Sequence, residues 1–484
     1  MKSSLGRPLK PNDRRASIAV DLGAESCRVS LLQWREETPH VELVHRFNNS
    51  AVTIGKELHW DLHRILSEIE CGLVRCAEKT LAPIAAIGVD GWAVDYVRLT
   101  ANGLPVAQPF CYRDTRTEAV KVEFEQRCSA EDLFALGGAQ PLRINTLYQL
   151  MADQSAGVSA TARWVNLPEY VLAQLGGRIV AEFTNATHTG LIDIATRNWN
   201  PKIFDLCGLS LEAAPELVPT GSQIGIVEGS LRRLPAFHET HLIAPACHDT
   251  ASAVAGIPID GDDWGYISSG TWSLVGTLLD CPVKTAAACT AGFTNLGATG
   301  DRICFHKNVN GMWLLKQTLH QLCPIDSQWP MPELTAAAEQ VGLPEGLLDV
   351  DDPELWLQGD MASRINAQLT RRGFTPIEER ASLMPEFANL IFHSLAHRYA
   401  MVLADAEQLT GKRLKRLAIV GGGSLNQFLN RLTAEATGLE LCRGAVESST
   451  AGNFAVQLAA LEGAPDSPSR IAHWAKALTS PDHC

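Results

Sequence analysis

A chain of 484 residues is longer than one hydrophobic core serves, so two or more domains are expected. Its 41 basic and 54 acidic residues leave a net charge of -13, which argues against nucleic acid and anionic membrane surfaces as partners, since both reward a basic face. The 13 cysteines form no CxxC pairs and no His stands at ligand spacing from them, so a reduced, cytoplasmic setting is expected rather than a disulfide framework or a zinc site.

Residues 1–15 are polar and basic, lack the apolar centre of a secretory signal, and read as a disordered tail. No uncharged apolar run approaches the roughly 18 residues of a membrane span. From Ala16 the pattern is strand-like: a first strand to Leu22, a turn containing Gly23, and a second strand over Cys27 to Trp34. Asp21 closes the first apolar run and so projects near the turn. The turn from Asp21 to Arg28 combines a carboxylate, a glycine bend, a hydroxyl and a cation. A metal–phosphate site needs these residue types, and an ordinary hairpin with a surface Arg also has them.

His45 to Trp60 reads as a further strand and loop, and Asp61 as the cap of an amphipathic helix over Leu62 to Lys79. Ile84 opens a buried strand, a bend at Asp90-Gly91-Trp92 and another strand, with a hairpin turn at Asn102-Gly103. Trp92, Asp95 and Arg113 fit either the lining of a polar cavity or plain core and surface places. Trp60, Trp272 and Trp313 read as core aromatics. Helical patterns cover 145–155 and 165–175, and Thr184 to Thr189 reads as a polar loop able to cap a helix.

The densest chemistry lies between Ala244 and Gly276. Asp249 stands between His248 and Thr250 and is followed at once by small apolar residues. A carboxylate so placed is partly dried yet reachable, which suits a general base. Tyr266-Ile-Ser-Ser-Gly-Thr-Trp-Ser is a strand, a tight turn and a strand, and such a bend presents hydroxyls and N–H groups to a phosphate. The turn-rich connector between Gly256 and Trp264 is the expected domain boundary, giving domains over 16–258 and 259–470 and a tail over 471–484.

Pro-rich, acidic stretches from Cys323 to Thr375 read as surface insertions, and Pro385 to Thr410 as a long helix. Gly421-Gly422-Gly423 joins an apolar strand to a helix, letting another surface approach the backbone and offering a helix N-terminus to an anion. Neither GxGxxG spacing nor a P-loop Lys-Ser/Thr is present there. Both halves open with a strand, a Gly-containing hydroxyl turn and a strand, so two similar α/β halves facing each other across a cleft are expected.

The order of these motifs resembles the FGGY carbohydrate kinases, of the actin-like (ribonuclease H-like) ATPase fold, and is closer still to their rhamnulokinase branch. The resemblance is carried by Tyr112-Arg-Asp-Thr-Arg-Thr, Asn145-Thr-Leu-Tyr-Gln-Leu, Thr184-Asn-Ala-Thr, Cys247-His-Asp-Thr-Ala-Ser-Ala-Val, Tyr266-Ile-Ser-Ser-Gly-Thr-Trp-Ser-Leu, Lys307-Asn-Val-Asn-Gly-Met-Trp-Leu-Leu and Ile419-Val-Gly-Gly-Gly. It spans about Ile18 to Leu461.

The resemblance implies ATP-dependent phosphorylation of a ketose with ATP and Mg2+: L-rhamnulose to L-rhamnulose 1-phosphate in L-rhamnose catabolism. L-fuculose, another deoxyketose or a pentulose is the alternative substrate, and a non-catalytic sugar or nucleotide sensor the alternative class. It makes Asp249 the catalytic base and puts Ala93, His248 and Thr250 on the ketose. Ala24, Glu25, Ser26, Cys27, Arg28 and Thr271 would contact ATP phosphates. Asn308, Gly421, Gly422 and Gly423 would contact the nucleoside end, and Asp21 would hold Mg2+ through water. The first half is then the sugar and phosphate side, the second the nucleotide side, and the protein a monomer or homodimer.

Three residues depart from the branch pattern: Cys27 and Ala93 stand in place of Gly, and Lys316 in place of Gln. Cys27 would narrow the phosphate turn, and Ala93 adds a methyl where the sugar meets backbone. Lys316, at the nucleotide side, would meet a phosphate or face solvent.

Overall fold

A computed structural model describes residues 14–35, 37–80, 82–323 and 329–479. The first sheet contains β1 (Ala16–Leu22), β2 (Ser26–Arg35), β3 (Thr38–Asn48), β4 (Ile84–Gly91), β5 (Ser222–Ile226) and β6 (His241–Ala244), in the order β5-β6-β4-β1-β2-β3. The second contains β7 (Trp264–Ser269), β8 (Trp272–Leu279), β9 (Phe293–Gly297), β10 (Ile303–Asn310), β11 (Arg416–Val420) and β12 (Glu440–Arg443), in the order β9-β10-β8-β7-β11-β12. Each sheet opens with an antiparallel hairpin, β1–β2 or β7–β8. The first strand of each then pairs parallel with a later one, β4 or β11. The two halves therefore share one layout, and the expected two-domain α/β fold is observed.

The helices that position the site are α1 (Leu62–Lys79), α2 (Thr146–Ser155), α3 (Asp249–Ala255), α4 (Trp313–Leu322), α5 (Met384–Thr410), α6 (Gln427–Thr437), α7 (Ser448–Leu461) and α8 (Pro468–Leu478). α1 starts where its sequence signal lies, with the Asp61 carboxylate accepting from the Arg64 N–H. Its Ile65, Ile69 and Leu73, spaced four apart, turn one stripe inward. That stripe packs with Ile18, Val20 and Leu22 of β1 and Ile87 and Val89 of β4. Ala19, pointing the other way along β1, joins Ala85 and Ile243 beneath Phe454 and Leu458 of α7 and Ile471 and Trp474 of α8. In the second half, Phe387, Ile391 and Leu395 of α5 pack with Ile267, Val275 and Phe305 of the sheet.

Several expectations are corrected here. The stretch from 471 is not a tail: it is the body of α8, held by the buried Ile471 and Trp474 on the first sheet. The expected N-terminal tail lies outside the described residues up to position 13, and Arg14 stacks its guanidinium over Trp34 at 4.2 Å. The segment 323–375 is not a set of surface insertions. Its helices Met331–Glu339 and Met361–Arg371 send Leu334, Met361 and Ile365 into the main core of the second half, although 324–328 lie outside the described residues. Trp272 is 42% exposed and therefore no core aromatic.

α3 and α7 join the two halves through an unusually close crossing. A Cβ on Gly452 would lie 1.8 Å from the Ser252 carbonyl oxygen, and one on Gly256 2.4 Å from that of Ser448. Only glycine permits this approach, and Ser448 Oγ seals it by donating to the Ala253 carbonyl at 2.8 Å.

Candidate active site

Asp21 on β1 and Asp90 on β4 are register partners in a parallel pair. Their side chains therefore rise from the same face, with backbones about 4.8 Å apart. α7 crosses that face, and its i, i+4 residues meet the two acids: Ser449 Oγ donates to Asp21 at 2.7 Å and Asn453 Nδ2 to Asp90 at 2.5 Å. Beyond β6 the chain runs alongside β4, where the Gly91 N–H donates to the Cys247 carbonyl at 3.0 Å. His248 ends beside Gly91, and Asp249 begins α3.

Burial, with the Asp21 charge adding to it, pushes Asp249 up to about 7. Its side chain is nevertheless 36% exposed, so solvent or substrate can reach it. Asp21 is also raised by burial, against the pull of Arg28. Asp90 is raised much further, by burial and then by the Asp21 charge, and among the described residues its Oδ1 has no partner. His248 stays neutral because burial and the neighbouring His188 and His306 oppose its charge. Its Nε2 lies 3.3 Å from Asp249, and its ring packs on that of His188 at 3.8 Å.

The first turn is tied down by Asn49, which donates to the carbonyls of Gly23 and Glu25 at 3.2 and 2.9 Å. Arg28 reaches both Asp21, at 3.4 Å, and Glu447 at the head of α7, at 3.0 Å. Ser26 Oγ accepts from Arg46 at 2.8 Å. The Cys27 thiol lies against the turn, 3.5 Å from the Gly23 carbonyl. Strand alternation sends its thiol into the core, and burial raises it to about 12. Lys316 pairs with Glu25 at 2.9 Å, more than half exposed on both partners, and so links α4 to the first turn.

On the second sheet, the N–H groups of Met312 and Trp313 hold the Gly270 and Thr271 carbonyls at 3.0 and 3.1 Å, pinning the β7–β8 turn to the start of α4. The glycine triplet abuts the end of β7, where a Cβ on Gly423 would lie 1.9 Å from Ser269 Oγ. Gly421 adopts φ +81°, and only Gly422 opens onto free space. Gly421 and Gly423 thus pack against Ser269 within their own domain. The expectation of a helix N-terminus offered to an anion is corrected too: a short 3-10 turn intervenes, and Asn426 caps α6 by accepting from the Leu429 N–H. Asn308 is exposed on β10, opposite Leu274. Among the described residues, no hydrogen bond or ion pair ties Thr271, Asn308 or the triplet to the carboxylates.

Sequence reasoning left one element open and missed a second. The Asp95 carboxylate accepts four hydrogen bonds: Trp60 Nε1 at 2.6 Å, Trp92 Nε1 at 3.0 Å, Gln149 Nε2 at 3.0 Å and the Tyr112 N–H at 3.2 Å. Burial outweighs these bonds and raises it to about 6. Arg113 lies apart, exposed and stacked over Tyr112. The second element is Glu182, fully buried, which accepts from the Cys247 N–H at 2.9 Å and Thr220 Oγ1 at 2.6 Å. It thereby aims the turn that carries His248 and Asp249. Only the Thr184 motif hinted at it, because Thr184 Oγ1 donates to Glu182 and accepts from the His248 N–H.

Comparison with known proteins fits this arrangement. The chain matches the N-terminal domain model of the FGGY family of carbohydrate kinases over residues 16–256 and the C-terminal domain model over 265–461. Its fold is similar to that of gluconate kinase from Lactobacillus acidophilus, with TM-score 0.75, 15% identity, and 96% of this chain and 92% of that one covered. A ligand-bound xylulose kinase from the same organism gives the same TM-score, identity and coverage. Plasmodium falciparum glycerol kinase with ADP gives TM-score 0.72 at 18% identity, covering 95% of this chain and 92% of that one. Two matching domain models that together span most of the chain, over a duplicated sheet with acids gathered at its strand ends, establish that the protein belongs to the FGGY family of carbohydrate kinases.

Proposed function

We propose that the protein transfers the terminal phosphoryl group of ATP to a ketose hydroxyl, with L-rhamnulose giving L-rhamnulose 1-phosphate as the leading reaction. The observation that carries the reading is Asp249, raised to about 7 yet 36% exposed, at the start of α3 beside His248 and Thr250. A base tuned to working pH and reachable from solvent suits proton removal from a sugar hydroxyl.

In the reaction, the hydroxyl oxygen forms its bond to the terminal phosphorus, and the bond to the bridging oxygen breaks, releasing ADP. The proton passes to an Asp249 oxygen. The neutral imidazole of His248 holds a sugar oxygen without competing for that proton. Arg28 and the N–H groups of the Ala24 to Arg28 turn steady the phosphates. Most of the rate comes from positioning and charge stabilisation.

The acids fit a divalent cation. Asp21 and Asp90 are hard oxygen donors in register, and burial, before any neighbouring charge, raises both. Among the described residues no three metal-ligating side chains form a ready cage. Asp21 would therefore hold Mg2+ together with water and phosphate oxygens. When bound, the ion supplies charge neutralisation on the phosphates.

An ADP-release assay with Mg2+ and a panel of L-rhamnulose, L-fuculose, D-xylulose, gluconate and glycerol tests the proposal. The highest kcat/KM is expected for L-rhamnulose. Preference for another ketose moves the assignment to a sibling kinase, and sugar-independent ATP hydrolysis refutes it.

A further inference from the structure

The proposed chemistry leaves the motif Asn145-Thr-Leu-Tyr-Gln-Leu without a role of its own. The structure gives it a task. Between Ala93 and Asp95 the backbone of Val94 takes φ +71°. For a β-branched residue this left-handed conformation is a true outlier, and it persists only where surroundings over-determine it.

The surroundings are α2. Thr146 Oγ1 donates to the Val94 carbonyl at 2.7 Å, and Gln149 Nε2 approaches the same oxygen at 3.2 Å. Gln149 also donates to Asp95, the acid that holds the Trp60 and Trp92 indoles. Asn145, at the head of α2, donates to the His188 carbonyl at 3.0 Å, and the His188 ring carries that of His248. One helical turn therefore grips both walls of the pocket read as the sugar site: the Gly91–Asp95 bend on one side and the His188–His248 pair on the other. Asn145, Thr146 and Gln149 are all buried.

We propose that Thr146 and Gln149 are specificity-setting positioning residues: they hold Val94 in its left-handed conformation and so fix where Ala93 and Trp92 meet the sugar. This rests on the ketose kinase reading of the same pocket. Thr146→Val is nearly isosteric and removes one hydrogen bond. It is expected to raise the sugar KM about tenfold, roughly what one buried hydrogen bond is worth, with kcat within about twofold and the ATP KM unchanged. Thr146→Ser should restore the sugar KM. Adding Val94→Gly to Thr146→Val should restore it in part, because glycine adopts positive φ without strain.

Hydrogen exchange of the substrate-free protein gives a second readout, expected to show faster exchange at 92–97 in Thr146→Val than in the parent. An unchanged sugar KM, equal rises in the sugar and ATP KM, or unchanged exchange at the bend would each overturn the proposal. If the parent phosphorylates no acceptor in the panel, the kinase reading fails, and the exchange measurement alone decides the bracket.

Discussion

Replacing Asp249 by Asn separates its chemical role from its structural one, because the two move in opposite directions. The amide cannot accept the sugar proton, and general-base catalysis is worth about 10²- to 10⁴-fold, so kcat should fall by about 3–5 kcal/mol of transition-state stabilisation. Folding should respond with the other sign. The native site raises the carboxyl from 3.8 to about 7, so the folded state binds its proton more tightly than the unfolded chain does. Ionised Asp249 therefore destabilises the fold progressively as pH rises from about 4 to 7, and by a constant amount above that. The full rise corresponds to at most about 4 kcal/mol. With the side chain 36% exposed, water screens much of this, leaving about 1–2 kcal/mol. Asp249→Asn should melt about 1–2 °C higher than the parent at pH 8, with a smaller difference at pH 5. Parallel ADP-release kinetics and thermal unfolding check both halves. Near-parental kcat, or a variant less stable at pH 8, would refute the argument.

The remaining predictions rest on separate contacts. For the parent, kcat/KM should rise with pH to a plateau, with a midpoint near the value of about 7 given for Asp249. A midpoint near the ordinary carboxylate value would show the base is not held in this environment. Gly452→Ala drives a methyl into the Ser252 carbonyl and must part α3 from α7, costing about 1–3 kcal/mol by thermal unfolding together with activity. Gly423→Ala should cost a similar amount by colliding with Ser269, whereas Gly422→Ala, facing open space, should leave Tm unchanged. A raised ATP KM in Gly422→Ala alone would mark Gly422 as the nucleotide-facing glycine. Lys316→Met breaks a pair more than half exposed on both partners, so stability should change by at most about 1 kcal/mol. A larger loss would mean that this pair anchors the two halves.

What could be read from sequence was whatever short-range physics writes into neighbouring residues. Short apolar runs marked β1 and β4, Asp61 marked the start of α1, and glycine with hydroxyl residues marked the bends at Gly23 and Gly270. His248-Asp249 could be singled out because an acid followed at once by small apolar residues suits a partly dried base, although a buried pair that satisfies a loop reads the same way. Tertiary structure decided everything that depends on residues distant in the chain. Cys27 became core because strand pairing chose which face of β2 is covered, and Lys316 met Glu25 because folding brought positions 291 residues apart together. Glu182 and Gln149 look like ordinary polar residues until the backbone groups they satisfy arrive from Cys247 and Val94. A hydrogen bond of this kind has no sequence signature: its donor and acceptor are ordinary, and only their meeting in a dry interior gives the pair its strength.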